Sequence, residues 1–288
     1  MLGDLRDLLG SIFRRRATGT FIRRSQARIK NCGCARPAAA KNWRVSSSCV
    51  AGTRHLDMGR GCEDAAGAFV VGRLLGVAIA DGAGSAPRGG MGAALAVRAA
   101  IAAIEHAYLN DEPVTQETAP GIMRTAFCCA QKTLCVEARR QSTSPREFGC
   151  TLIVVIAGDN HVAAGQVGDG AVVVQTDSSD LITLSTPANG EFANETPLLG
   201  CGESVALNIS SVSNIPIRAL ALFTDGMQRL ALEMPAGKPH AGFFTPLFDG
   251  LGTLAEGDAE RELAAFLNSP RVSARTDDDK TLVVAHLL

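Results

Sequence analysis

Three apolar, β-branched-rich runs at residues 150–157, 161–167 and 171–175 are separated only by Gly158-Asp159-Asn160 and Gly168-Asp169-Gly170. Connections this short cannot hold a parallel crossover, so the runs predict an antiparallel meander. Further strands are predicted at 68–80, broken by the tight-turn pair Gly72-Arg73, and at 204–211, 219–223 and 281–287. The stretch 89–109 is Ala-rich and apolar almost throughout, which predicts a buried helix; 121–140 predicts a more amphipathic one, and 259–268 a short terminal one. Strands on both sides of a helical pair imply an α+β domain of packed antiparallel sheets with helices outside. Aromatic residues make up only 5% of the chain, so Val, Ala, Leu and Ile must supply most of that core.

Acidic residues cluster where these strands end. Asp81, Asp169 and Asp225 each follow an apolar segment and each precede a glycine, while Glu63-Asp64 and Asp277-Asp278-Asp279 abut two further runs. Carboxylates are hard ligands suited to Mg²⁺ or Mn²⁺, and a strand end gives them a rigid base from which to converge. The following glycine permits a positive φ and close backbone approach, so its carbonyl can also face a ligand. Any one Asp-Gly pair reads equally well as a strand-ending turn. The ordered set points to a divalent-metal enzyme.

Charge divides the chain. Residues 1–40 hold nine Arg or Lys against two Asp, about +7, whereas the whole chain is at -1, leaving about -8 for the rest. Residues 1–41 are expected to be a basic, solvated and disordered tail, with the folded domain at 42–288. The basic stretch 11–24 leaves open contact with an anionic membrane or nucleic acid. The nine cysteines fall at irregular spacings with no zinc pattern; Cys128, Cys129 and Cys135, on the second predicted helix, are expected to be small buried residues, and Cys32-Gly-Cys34 is a weak metal or redox candidate. Neither a secretory signal nor an eighteen-residue apolar run is evident, so a cytoplasmic location and no transmembrane segment are expected.

The ordered strings Glu63-Asp64, Ala80-Asp81-Gly82, Gly168-Asp169-Gly170, Thr224-Asp225-Gly226 and Asp278-Asp279-Lys280-Thr281 resemble the metal-dependent PPM, or type 2C, serine/threonine protein phosphatases. A bacterial branch is indicated by Gly52-Thr53-Arg54-His55, by Asp81-Gly82-Ala83-Gly84-Ser85-Ala86 and by Asn189-Gly190-Glu191-Phe192. The resemblance runs from about Trp43 to Leu288 and implies a four-layer αββα sandwich. It implies that Asp81 bridges two Mn²⁺ or Mg²⁺ ions and that the Gly82 carbonyl binds one of them. Asp225 and Asp278 would complete one ion's ligands, Glu63 and Asp64 would support the other, and Asp169 with Asp225 would hold a weaker third. Two such cations about 3.5–4 Å apart can activate a water for in-line attack on phosphorus without a covalent intermediate.

Two departures stand out. The arginine that grips phosphate just ahead of the acidic pair has no counterpart at the same spacing; Arg54, His55 and Arg60 are the candidates, with His55 ranked first for phosphate contact or proton donation. Asp279 stands where many members have Asn, adding negative charge beside the metal site. The polar segment 185–201 falls where the family places a flap beside the active site. The expected activity is hydrolysis of phosphoserine or phosphothreonine in proteins, the partner being a phosphoprotein, a serine/threonine kinase or its target. The alternatives are an inactive phosphoprotein-binding regulatory module of the same fold, or a phosphatase acting on a small phosphorylated metabolite.

Overall fold

The computed structural model describes residues 21–24, 42–110, 113–158, 161–186, 197–200 and 207–288. Two sheets, antiparallel apart from the edge strand β1, pack face to face. The first contains, in spatial order, β1 (Phe21–Arg24), β3 (Ala65–Val71), β4 (Leu74–Ala80), β5 (Leu152–Ala157), β6 (His161–Val167) and β9 (Asn208–Ser213). The second contains β2 (Trp43–Val50), β13 (Lys280–Leu287), β10 (Ile217–Phe223), β7 (Ala171–Thr176) and β8 (Leu181–Ser185). Outside the first sheet lie α2 (Gly89–Leu109) and α3 (Ala119–Arg140). Outside the second lie α4 (Gln228–Ala231), α5 (Ala241–Thr253), α6 (Glu256–Leu267) and α7 (Pro270–Ser273). The four-layer αββα sandwich is therefore the observed architecture.

Because both faces of the central strands are covered, their sequences lack the usual alternation with polar residues. In β5, Ile153, Val155 and Ala157 point between the sheets, while Leu152, Val154 and Ile156 meet the helices. In β10, Leu220 and Leu222 enter the inter-sheet core and Ala219, Ala221 and Phe223 pack under the second helical layer. The helix α2 is long and apolar enough to cross a membrane by composition alone, but its buried residues pack against the first sheet and α3.

The β3–β4 hairpin forms as expected, with Gly72 in the left-handed region at φ 57° and Val71 paired with Leu74. The meander does not. β5 and β6 pair, yet β7 pairs with β8 and β10 in the other sheet. Gly168 (φ 96°) and Gly170 (φ 102°) instead carry the chain from one sheet to the other. The same turn chemistry serves either purpose, and here the crossing sets Asp169 at the end of the sandwich. Within the expected tail, Phe21–Arg24 form an edge strand parallel to β3; residues 1–20 and 25–41 lie outside the described residues.

Candidate metal centre

One end of the sandwich gathers the acidic strand ends. Asp81 leaves β4 with its backbone N–H donating to Thr151 Oγ1 at 2.9 Å, while its carbonyl accepts from Thr151 N at 2.9 Å. Next to it, a side chain on Gly82 would strike the backbone of Gly89 and Gly90 at 2.4–2.5 Å, so only glycine admits this close approach to the start of α2. Asp225 opens a single 3₁₀ turn (Asp225–Met227) directly after β10. Asp278 precedes β13, and Asp169 sits in the inter-sheet crossing. Together with Arg54, His55, Gly82 and Thr151, these four aspartates line one cavity of about 700 Å³.

Glu63 and Asp64, which lead into β3, stand behind that lining. The Thr224 hydroxyl donates to Asp64 Oδ2 at 2.9 Å, and Arg60 donates to Glu63 Oε1 at 2.5 Å. Three buried carboxylate oxygens, Glu63 Oε2, Asp64 Oδ1 and Asp225 Oδ1, have no hydrogen-bond partner. Orphaned buried anionic oxygens are costly unless something cationic compensates them. Among the described residues, no group of three or more His, Cys, Asp or Glu side chains stands at metal-ligand spacing.

The electrostatics carry the same signature. Burial pushes the Asp81 carboxyl far above the ordinary carboxylate range, and the charges of Asp64 and Asp225 push it further. Burial raises Asp225 to about 6, helped by Asp169 and Asp278. Burial also raises Asp64 to about 7; the nearby Thr281 hydroxyl and the hydrogen bond from Thr224 lower it, and the charge of Asp279 raises it. Each group keeps its proton to higher pH when folded than when unfolded, where Asp titrates near about 3.9. The stability they permit is thus complete below about pH 4 and is lost as pH rises through the folded values of Asp225 and Asp64, about 6 and 7. The Tm of metal-free protein is expected to fall between about pH 4 and 8, and Mn²⁺ is expected to flatten that slope. A metal-free Tm that holds level or rises over this range would contradict the clustering.

The sequence candidates for phosphate contact separate. The short helix α1 (Thr53–Asp57) places Arg54 and His55 on the cavity wall. Arg54 Nη2 donates to Asp278 Oδ1 at 3.1 Å and remains half exposed. His55 is buried, with Nδ1 2.9 Å from Asp279 Oδ1. Arg60 does not line the cavity; its guanidinium is engaged by Glu63. Residues 187–196 and 201, most of the expected flap, lie outside the described residues, while Pro197 and Leu198 line the cavity.

Asp279 does more than the added charge expected of it. Its Oδ1 accepts from Gly52 N at 2.7 Å besides facing His55, and its Oδ2 accepts from Glu63 N at 2.6 Å. One buried carboxylate thereby ties α1 to the acidic pair.

A model of the protein phosphatase 2C family matches residues 51–268. Spanning most of the chain, that match places the protein in the protein phosphatase 2C family. The chain is 35% identical over 252 residues to serine/threonine-protein phosphatase 3 of Escherichia coli K12, covering 85% of this chain and 98% of that one. Among solved structures, the serine/threonine phosphatase Stp1 of Staphylococcus aureus aligns with a TM-score of 0.58 at 15% identity, over 85% of this chain and 94% of that one. The catalytic domain of the phosphatase PstP in complex with two manganese ions aligns with a TM-score of 0.53 at 17% identity, over 86% and 99%. At such identities these two report the fold. Asp278 lies beyond the family match, and its place in the cavity rests on the geometry above.

Proposed function

We propose that this chain hydrolyses phosphoserine or phosphothreonine in proteins with two Mn²⁺ or Mg²⁺ ions. The observation that carries the reading is the set of orphaned oxygens on Glu63, Asp64 and Asp225 beside an acid-lined cavity. That donor set suits hard divalent cations. Asp81, with the Gly82 carbonyl, Asp225 and Asp278 would hold the ions, Glu63 and Asp64 would support them, and Asp169 is placed for a weaker third. Such cations, when bound, neutralise phosphoryl charge and activate water for in-line attack.

The chain's own residues supply orientation and a proton. Asp279 favours the His55 tautomer with its proton on Nδ1, which leaves Nε2 as the nitrogen available to the cavity that His55 lines. Protonated there, His55 can donate to the departing serine or threonine oxygen, a poor leaving group as an alkoxide. Arg54, held at the rim by Asp278, is the cation placed to meet a phosphoryl oxygen.

Purified protein is expected to cleave a phosphothreonine peptide in Mn²⁺, to lose turnover in EDTA, and to prefer the peptide to small phosphorylated metabolites. His55→Gln should lower kcat by about 10²-fold with Mn²⁺ binding kept. Stoichiometric Mn²⁺ binding without turnover would favour the phosphoprotein-binding module. A preference for metabolites would overturn the protein substrate.

A further inference from the structure

A second cavity, of about 890 Å³, shares no residue with the metal centre. It lies among α4, α5, α6 and α7, in the helical layer over the second sheet. Its apolar lining includes Phe243, Leu247, Leu254 and Phe266, all half-buried around the fully buried core of that layer. Three arginines, Arg229, Arg271 and Arg275, line the same space, against Glu262 as its acidic residue. None of the three is in an ion pair among the described residues, although other surface arginines, such as Arg218, Arg140 and Arg261, are.

We infer that this cavity binds a small amphipathic anion, an alkyl or aryl body bearing one carboxylate or phosphate. The size falls in the range of small-molecule pockets, roughly 300–1,000 Å³, which favours such a ligand over a partner helix laid across an open surface. The apolar walls would take the body, and the unpaired guanidiniums provide the fork geometry that grips a carboxylate or phosphate bidentately. A neutral ligand of the same shape would leave those guanidiniums unused.

The placement also bears on the metal centre. Arg229 belongs to α4, which begins at Gln228, just after the 3₁₀ turn opened by Asp225. Arg271 and Arg275 lie in and just after α7, which ends at Ser273, five residues before Asp278. A ligand that fixes α4 and α7 therefore holds the two segments leading to Asp225 and Asp278. Coupling of the two sites rests on the metal-dependent reading above, but binding of the anion does not.

Calorimetry on the whole chain with sodium decanoate, below its micelle concentration, tests the site. One decanoate per chain is expected, weakened at least tenfold by R271E/R275E with Tm unchanged, and binding more tightly than decanol. Absence of saturable binding, equal binding of decanol, indifference to charge reversal, or association only with anionic phospholipid vesicles would each overturn it. Saturating decanoate is expected to change Mn²⁺ affinity by at least threefold, read by heat and not by turnover; an unchanged affinity would overturn the coupling. Failure of Mn²⁺ to bind at all would remove the metal reading and leave the decanoate result standing.

Discussion

Asp81→Asn is expected to abolish metal-dependent turnover while making the metal-free protein more stable. Asp81 lines the cavity beside Asp169, Asp225 and Asp278, and Asp64 and Asp225 both push its carboxyl toward the neutral form. Without a cation the folded chain must either protonate Asp81 or tolerate buried like charges. An asparagine removes that conflict, and its amide N–H can donate to Asp64 or Asp225, which already approach this side chain. Metal-free stability should rise by about 0.5–2 kcal/mol, the usual scale when a strained functional site is relaxed. That is a Tm gain of roughly 1–8 °C for a domain of this size. Turnover should fall by at least about 10³-fold, because on the proposed reading Asp81 would help hold the ions, and its loss would remove several kcal/mol of metal-dependent transition-state stabilisation. Calorimetry should show weakened Mn²⁺ binding alongside the higher metal-free Tm. A variant both inactive and less stable would mean that Asp81 is a structural residue, and that the acidic cluster is satisfied in some other way.

Much of this site could be read from sequence because a strand end is a local feature. Apolar runs locate Asp81 and Asp225, and the glycines after them announce a backbone that needs room. What a local pattern cannot carry is which sheet a strand joins. Gly168-Asp169-Gly170 has the chemistry of a hairpin turn, and only packing sends β7 to the opposite sheet. The helix α5 was not foreseen because Gly242, Pro246, Gly250 and Gly252 are poor helix residues. Yet Phe244, Phe248 and Leu251 recur at helical spacing and are buried, so tertiary burial overrides propensity there. The arginine-lined cavity is illegible for the same reason: of its four helices only α6 is announced by the sequence, at 259–268, while α4, α5 and α7 are not. Arg60 resembled a phosphate ligand by proximity in sequence, whereas its side chain is spent on Glu63.

Asp279 shows how a departure from a family pattern becomes intelligible once its partners are known, and it carries the largest expected effect on stability. Three donors converge on its two oxygens: Gly52 N and His55 Nδ1 on Oδ1, and Glu63 N on Oδ2. Both it and His55 are buried, so water cannot replace a lost acceptor. Asp279→Ala would leave two backbone N–H groups and the imidazole unpaired, at a cost of about 3–5 kcal/mol, since each buried polar group left unsatisfied costs about 1–3 kcal/mol. Asp279→Asn, the residue the resemblance leads one to expect, retains only one oxygen. Its NH₂ must then face either Glu63 N–H or the Gly52–His55 pair, donor against donor, and a loss of about 1–3 kcal/mol follows. Denaturant unfolding of the metal-free proteins reads the stability, with His55→Gln as the companion that removes one donor and leaves the two backbone N–H bonds intact. Steady-state kinetics on folded protein separate positioning from bulk destabilisation: Asp279→Asn should lower kcat with KM and Mn²⁺ binding kept, because the carboxylate that orients the imidazole is gone. An unchanged kcat, with stability lost, would confine Asp279 to scaffolding; unchanged stability in the alanine variant would deny it even that role.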